Sequence, residues 1–437
     1  MEVVFTTYCL VTKSNQDKVK SYLRIGALAA FVLFTLVSVI EWGFTWYLLA
    51  ALLVIWAVLG AWSLLRKPAE KKNFKALPAV LRTLGTLLLV AIAVTPALIF
   101  PQHPRPPVTG QHSVATALFS YTNQNQTETF TNTGEKRQVN VEFWYPADAA
   151  RGATYPLVVF SPGSMGLKTS NTSTFLDLAS NGYVVCSIDN PYLALYTRGS
   201  DGRVIIQSPV FRQWLYDYNA GKYDAATAVQ LEHKWMGVQT TDIQFVLDTI
   251  LTAAEAPGSA AVYHLVDRQK IGLMGHSLGG ESSAQAARER LAGGKNDIAA
   301  VVNLDADLGG EYVDVVGGKP VLNNTPFPVP ILNILTDDLT RPIAAVPNAN
   351  DVVAVKHVIA NAPRGYEVDL AGANHLSVTD LALASPLLTS LLNGSVHHGS
   401  VEDTHPLATM EKLNATVLDF FNVFLKGEGT FTSAGSE

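Results

Sequence analysis

Three stretches near the start of the chain carry no charged residue: Ile25 to Ile40, Trp42 to Leu65 and Leu84 to Phe100. Each approaches or reaches the roughly 20 residues that a helix needs to cross a hydrocarbon layer of ~30 Å. They are bounded by Arg24, Glu41, Arg66 and Arg82. Three such runs in succession are rare in a water-soluble core, and with 48% of the 437 residues hydrophobic the whole chain is richer in apolar residues than most soluble enzymes. We therefore expect three transmembrane helices, at about 25–40, 42–65 and 84–100. A cleaved signal peptide does not fit, because the second run starts as soon as the first ends. Trp42, Phe44, Trp46 and Tyr47 form the aromatic belt expected at a membrane surface.

Basic residues set the orientation. Lys13, Lys18, Lys20 and Arg24 precede the first run, and Arg66, Lys67, Lys71, Lys72 and Lys75 fill the loop between the second and third. Both segments belong on the cytoplasmic side, so the third helix leads outward to an extracytoplasmic domain at the cell membrane. Residues 1–82 hold ten Lys or Arg and four Asp or Glu, which leaves 21 basic and 33 acidic residues downstream. That acidic remainder excludes nucleic acid as a partner and leaves the lipid bilayer as the expected one.

Four prolines between Pro101 and Pro107 predict a stiff, extended tether. The expected organisation is a membrane anchor over 1–100, a tether over 101–112, a catalytic domain over 113–428 and a flexible tail over 429–437. Cys9 and Cys186 are the only cysteines and are expected on opposite sides of the membrane, so no intrachain disulfide is predicted. From about Val139, short apolar runs alternate with helical patterns. Leu157 to Ser161, Tyr183 to Ile188, Lys270 to Met274, Ala299 to Leu304 and Ile331 to Leu335 read as strands buried on both faces. Val139 to Tyr145 and Tyr366 to Leu370 alternate more, as strands nearer a sheet edge do, and Leu407 to Leu425 reads as a closing amphipathic helix. The pattern predicts an α/β domain with a mostly parallel sheet and helices on both faces.

The chemistry concentrates at one turn. The strand Lys270 to Met274 runs into Gly275-His276-Ser277-Leu278-Gly279-Gly280, and the Ala-, Glu- and Arg-rich stretch Glu281 to Leu291 follows as a helix. A serine hydroxyl becomes a useful nucleophile when a sharp turn presents it to a base beside backbone donors, and Gly275 and Gly279 let that turn close. Ser277 is thus the candidate nucleophile. The loop Phe160 to Gly166 leaves an earlier strand where a second oxyanion donor is needed, which makes the amides of Ser164 and Leu278 the candidate oxyanion hole. The base comes last in chain order in such hydrolases. Of ten histidines, His375 follows the last strand directly, in the loop Ala371-Gly-Ala-Asn-His375, whereas His397, His398 and His405 lie in a later polar stretch that reads as solvated loop. Together these features predict an α/β-hydrolase fold preceded by three transmembrane helices.

Beyond the turn itself, Pro156 to Gly163, Asp189 to Tyr192 with Asp201 to Arg203, Gly275 to Gly280, Asn303 to Ala306 and Gly372 to His375 resemble the plasma-type platelet-activating-factor acetylhydrolases and their microbial relatives over about Val139 to Gly427. The resemblance implies a calcium-independent esterase acting on short or oxidised acyl esters of phospholipids. One departure is that Pro162 stands where family members commonly carry histidine. Broad-specificity lipases and polyester esterases share much of the pattern, and a catalytically silent membrane receptor is the alternative from another class.

Two residues compete to orient His375. Asp305 follows the strand Ala299 to Leu304 within the family-like Leu-Asp-Ala, whereas Asp338 follows Ile331 to Leu335, where many other hydrolases carry their acid. The family match favours Asp305. No clustered spacing of His, Cys and carboxylate predicts a metal site, and no cofactor is expected. The segment Tyr196 to Trp235 is rich in aromatic residues and reads as a lid, an acyl-binding wall or an extra helix on the sheet. Asn125, Asn171, Asn323, Asn393 and Asn414 begin glycosylation sequons.

Overall fold

The computed structural model describes residues 2–66, 74–340, 352–396 and 405–432. Lys67, Lys71 and Lys72 of the basic loop, and His397 and His398, lie outside the described residues. The chain divides into two units, Met1–His103 with Ala384–Leu388, and Pro104–Leu383 with Thr389–Glu437.

The first unit consists mainly of α1 (Glu2–Thr12), α2 (Asp17–Leu36), α3 (Tyr47–Leu65) and α4 (Ala76–Ile99). Asp17–Leu36, Phe44–Leu65 and Ala76–Ile99 are long and apolar enough to cross a membrane. Two of them begin earlier than the apolar runs do. α2 starts at Asp17 and carries Lys18, Lys20 and Arg24, and α4 carries Arg82. Lysine and arginine are good helix formers whose stems reach along apolar surface, so loss of hydropathy does not end a helix. α2 also stops at Leu36, short of Ile40, where the backbone turns through Ser38 at φ 57°. Gly60 of α3 lies against the backbone of Ser21 in α2, and an added Cβ would come 2.9 Å from its carbonyl oxygen. Small residues permit this close approach of apolar helices. Most of the large side chains, among them Phe34, Ile55, Leu88 and Ile92, point outward.

The second unit is built on β1 (Val114–Thr127), β2 (Lys136–Pro146), β3 (Tyr155–Ser161), β4 (Val184–Asp189), β5 (Tyr196–Arg198), β6 (Val204–Ile206), β7 (Val266–His276), β8 (Ile298–Leu304), β9 (Tyr312–Val316), β10 (Lys319–Leu322), β11 (Ile331–Thr336) and β12 (Gly365–Leu370). Eight strands form one sheet in the order β1-β2-β4-β3-β7-β8-β11-β12. β1 and β2 are antiparallel and every pair from β4 to β12 is parallel, so the sheet is mostly parallel, as the alternation of apolar runs predicts. β1 and the two small hairpins β5-β6 and β9-β10 are additions to the predicted strands.

Successive strand residues face opposite sides, which divides the core in two. Leu157 and Val159 of β3 pack with Ile271 and Leu273 under α7 (Ala225–Glu255) and α9 (Leu278–Ala292), helices that follow α5 (Thr172–Ser180), α6 (Pro209–Asn219) and, between them, α8 (Ala261–His264). Val158 and Phe160 pack on the other side with Phe175 of α5 and with Met410, Val417 and Phe421 near the C-terminus. The end of the expected tether is not free. The amides of Thr109, Gly110 and His112 donate to Asp177 and Ser180 of α5. Three of the five sequon asparagines, Asn171, Asn393 and Asn414, are buried.

One ion pair crosses this core. Arg137 of β2 is buried, donates to both carboxylate oxygens of the buried Asp242 in α7 at 3.0 and 2.6 Å, and reaches Glu128 at 2.9 Å. Removing the cation leaves two buried carboxylates without their partner. We predict that Arg137→Ala destabilises the second unit by about 3–5 kcal/mol, read as a lowered urea midpoint in tryptophan fluorescence of the detergent-solubilised chain. An unchanged midpoint would show that the network contributes nothing.

Candidate active site

β7 ends at His276 and α9 begins at Leu278, so a single residue, Ser277, makes the whole turn from strand to helix, at φ 53° and ψ −131°. For a residue with a Cβ this conformation is strained by roughly 1–3 kcal/mol. The surroundings enforce it. The Ser277 amide donates to the Leu304 carbonyl at 2.9 Å, and its own carbonyl accepts from the amide of Gly280 at 2.7 Å. A methyl group on Gly275 would collide with the Gly279 carbonyl, and one on Gly279 with the carbonyl of Ser161 in β3. Both elbow glycines are therefore required by close backbone approach.

Asp305 lies just past the end of β8, the strand that neighbours β7, and itself takes a left-handed conformation at φ 52°. Its fully buried carboxylate accepts from His375 Nδ1 at 2.8 Å. The amide and hydroxyl of Thr336, at the end of β11, donate to it at 2.6 and 2.8 Å. Burial pushes this carboxyl up, but the hydrogen bond and charge of His375 and the two Thr336 donors outweigh it and hold it below the usual carboxylate range. Asp338 makes a different contact. Its Oδ2 accepts from the backbone amide of His375 at 2.8 Å, while Asp337 accepts from the Gly372 amide. One carboxylate thus holds the imidazole and the next two hold its loop. The His375 ring lies 4.6 Å, centre to centre, from that of His276, whose Nε2 is 3.0 Å from the His375 carbonyl. Thr336 was not singled out by sequence, since a threonine at a strand end belongs to no motif, and His276 was read only as part of the elbow.

In the loop after β3, the amide of Met165 donates to Leu193 and that of Gly166 to Gly163, whereas the Ser164 amide has no protein partner among the described residues. Leu278 is the first residue of α9, where amides have no partner within the helix. The Pro162 carbonyl accepts from Gln239 of α7 at 3.3 Å. The aromatic insertion folds into the β5-β6 hairpin and α6, which Ser208 caps. Phe211 and Trp214 gather with Trp235, Met236 and Leu193 around Leu278, the residue next to Ser277. On its outer side Val210, Trp214, Tyr223 and Trp235 line an open cleft of about 450 Å³.

A second group of ionisable side chains gathers around Glu281 of α9. Glu232, Glu281 and Asp307 each bring a carboxylate oxygen within 4.8 Å of the others. They come from α7, α9 and the loop after β8, a juxtaposition that sequence spacing does not reveal. Burial, with Glu232 and Asp307 adding to it, pushes Glu281 well above the usual carboxylate range.

Residues 112–307 match the family model for platelet-activating factor acetylhydrolase, isoform II. The match includes Ser164, Ser277, Leu278 and Asp305 and ends before Asp338 and His375. A ferulic acid esterase from Streptomyces cinnamoneus has a similar fold, with a TM-score of 0.53 at 20% identity, covering 75% of this chain and 95% of that one. The fold class is α/β-hydrolase, and the matched family is one of esterase-type hydrolases.

The depressed Asp305 carboxyl has a pH signature. A folded-state pKa below the unfolded value contributes stability that is present above about pH 4 and is lost as pH falls through the folded value. We predict that the stability difference between the wild type and Asp305→Asn is largest above about pH 5 and shrinks on acidification. Urea midpoints between neutral and acid pH would measure it, and a pH-independent difference would contradict the assignment.

Proposed function

We propose that the chain is a membrane-anchored serine carboxylic-ester hydrolase whose catalytic domain faces away from the cytoplasm and acts on short or oxidised acyl esters of phospholipids. The observation that carries the reading is the 2.8 Å hydrogen bond from His375 Nδ1 to the buried Asp305, in a loop that touches the residue preceding Ser277. With the Nδ1 proton held by Asp305, Nε2 of His375 is left as an acceptor, the tautomer a general base requires.

In this reading Ser277 Oγ attacks the ester carbonyl and its proton passes to His375 Nε2. The amides of Ser164 and Leu278 hold the developing oxyanion. Collapse expels the alcohol, which takes the proton from His375 and leaves an acyl group on Ser277. Water attacks that acyl-enzyme with the same base, and the released acid restores the serine. None of these steps calls on a metal ion. Packing of Phe211, Trp214 and Trp235 around Leu278 supports the insertion as an apolar wall beside the acyl site. The anchor would hold the domain where lipid esters are concentrated.

The purified chain should hydrolyse short-acyl esters in preference to long-acyl ones. Ser277→Ala should abolish turnover in that assay with the fold intact. Asp305→Asn should lower kcat by roughly 10⁴, as loss of the correct tautomer does, while Asp338→Asn, at a carboxylate that accepts from the backbone amide of His375, should cost far less. Retained turnover in Ser277→Ala would remove the nucleophile assignment, and a dead Asp338→Asn beside an active Asp305→Asn would make Asp338 the acid. Activity confined to long acyl chains would favour the lipase alternative.

Topology is tested separately. Protease added to intact cells should cleave the domain after Pro101 and spare the basic loop between Arg66 and Lys75. Protection of the domain would reverse the proposed orientation.

A further inference from the structure

We infer that Glu232, Glu281 and Asp307 form a binding site for a hard divalent cation, of which Ca²⁺ fits best, that ties α7 to the nucleophile helix and to the loop carrying the proposed acid. The site is distinct from the reacting groups. Glu281 stands one helical turn after Ser277 on α9, and Asp307 two residues after Asp305.

Four observations carry the inference. One oxygen from each of the three carboxylates lies within 4.8 Å of the others, a separation that a single ion can bridge. Glu232 and Glu281 are each only 6% exposed, so bulk water does not screen them. Oε2 of Glu281 is buried with no hydrogen-bond partner, and neither Glu281 nor Asp307 has a Lys or Arg partner among the described residues. The surrounding structure fixes the group in place. Tyr218 Oη donates to Glu232 Oε2 at 3.3 Å, Gly309 packs so tightly on the Glu232 carboxylate that a methyl there would collide with it, and His233 Nε2 donates to the Gly309 carbonyl at 3.2 Å.

Buried charges are stable when paired or when they coordinate a metal. A set made only of carboxylate oxygens selects Ca²⁺, Mg²⁺ or Mn²⁺ over zinc or copper. Ca²⁺ accepts an irregular oxygen shell completed by carbonyls and water, whereas Mg²⁺ demands near-octahedral geometry. The inference rests on the carboxylates themselves and does not depend on the proposed esterase chemistry.

The test uses the full-length chain in detergent, stripped with EDTA. Adding Ca²⁺ should raise the unfolding temperature saturably by about 3 °C or more, and Tb³⁺ should bind competitively with Ca²⁺, giving luminescence sensitised by the neighbouring tyrosine and tryptophan side chains. Both responses should be lost in Glu281→Gln and in the less buried Asp307→Asn, and kept in Ser277→Ala. Absence of a saturable shift with Ca²⁺, Mg²⁺ and Mn²⁺ would overturn the inference, as would an undiminished shift in both variants. So would a Glu281→Gln protein that is more stable in EDTA beside a wild type that ignores cations, because the carboxyls would then be neutralised by a shared proton. Ester hydrolysis is not a readout here, so loss of the cation site and loss of the hydrolase reading remain distinguishable.

Discussion

The second unit depends on one crossing of backbones. At the elbow, the Gly279 end of α9 rests on the carbonyl of Ser161 in β3, and Gly275 rests on Gly279. This contact fixes how near the helix comes to the sheet, and with it the strained conformation of Ser277. Parallel pairing then does the rest. Ser161 is in register with Gly275, and Gly275 with Asn303, so the loops leaving β3, β7 and β8 emerge side by side. Parallel strands all end at the same edge, and for that reason the loop after β3, Ser277 and Asp305, far apart in sequence, emerge there together. Asn303 secures the last of them by donating to the Ala306 carbonyl and to Asn333 of β11.

What was legible in the sequence was local. The elbow combines a strand, a glycine-flanked serine and a helix within one short segment, so its pattern can be read without knowing the fold. The same holds for the strands, whose apolar runs are continuous because both faces are covered. The choice between Asp305 and Asp338 was not local, because both follow a buried strand at the same sheet edge. In space they differ plainly, one meeting the imidazole and the other the backbone of the same residue. Thr336 carries two of the Asp305 hydrogen bonds, yet a threonine at a strand end has no distinguishing pattern. The ends of the apolar helices were blurred for a related reason. Hydropathy registers where lipid is favourable, whereas the helices of the first unit run on through lysine and arginine until a backbone turn stops them.

Two buried carboxylates lie close to Ser277 in the chain fold, Asp305 just past β8 and Glu281 on α9 itself, and they are treated in opposite ways. Asp305 collects donors from His375 and from both donor groups of Thr336, enough to keep a charge in a fully buried position. Glu281 has an oxygen with no partner and two more carboxylates beside it. The difference follows from the elements that deliver the neighbours. β11 and the His375 loop present hydroxyl, amide and imidazole donors toward Asp305, while α7 and the loop after β8 bring the further acids Glu232 and Asp307 toward Glu281. In a low-dielectric setting the first arrangement favours the ionised form and the second opposes it.

That contrast bears on the proposed chemistry through the sign of the local field. A hydrolase of this type gains most of its rate from donors aimed at a developing negative charge, and nearby fixed charges add to or subtract from that effect. An uncompensated anionic cluster one turn along the helix from Ser277 would work against the oxyanion, because screening is weak where side chains are buried. Neutralising Glu232, Glu281 and Asp307 therefore serves more than the stability of the helix packing. In the proposed mechanism it leaves Asp305 as the negative charge at the elbow that matters, directed at His375, where it would favour the imidazolium formed as Ser277 gives up its proton.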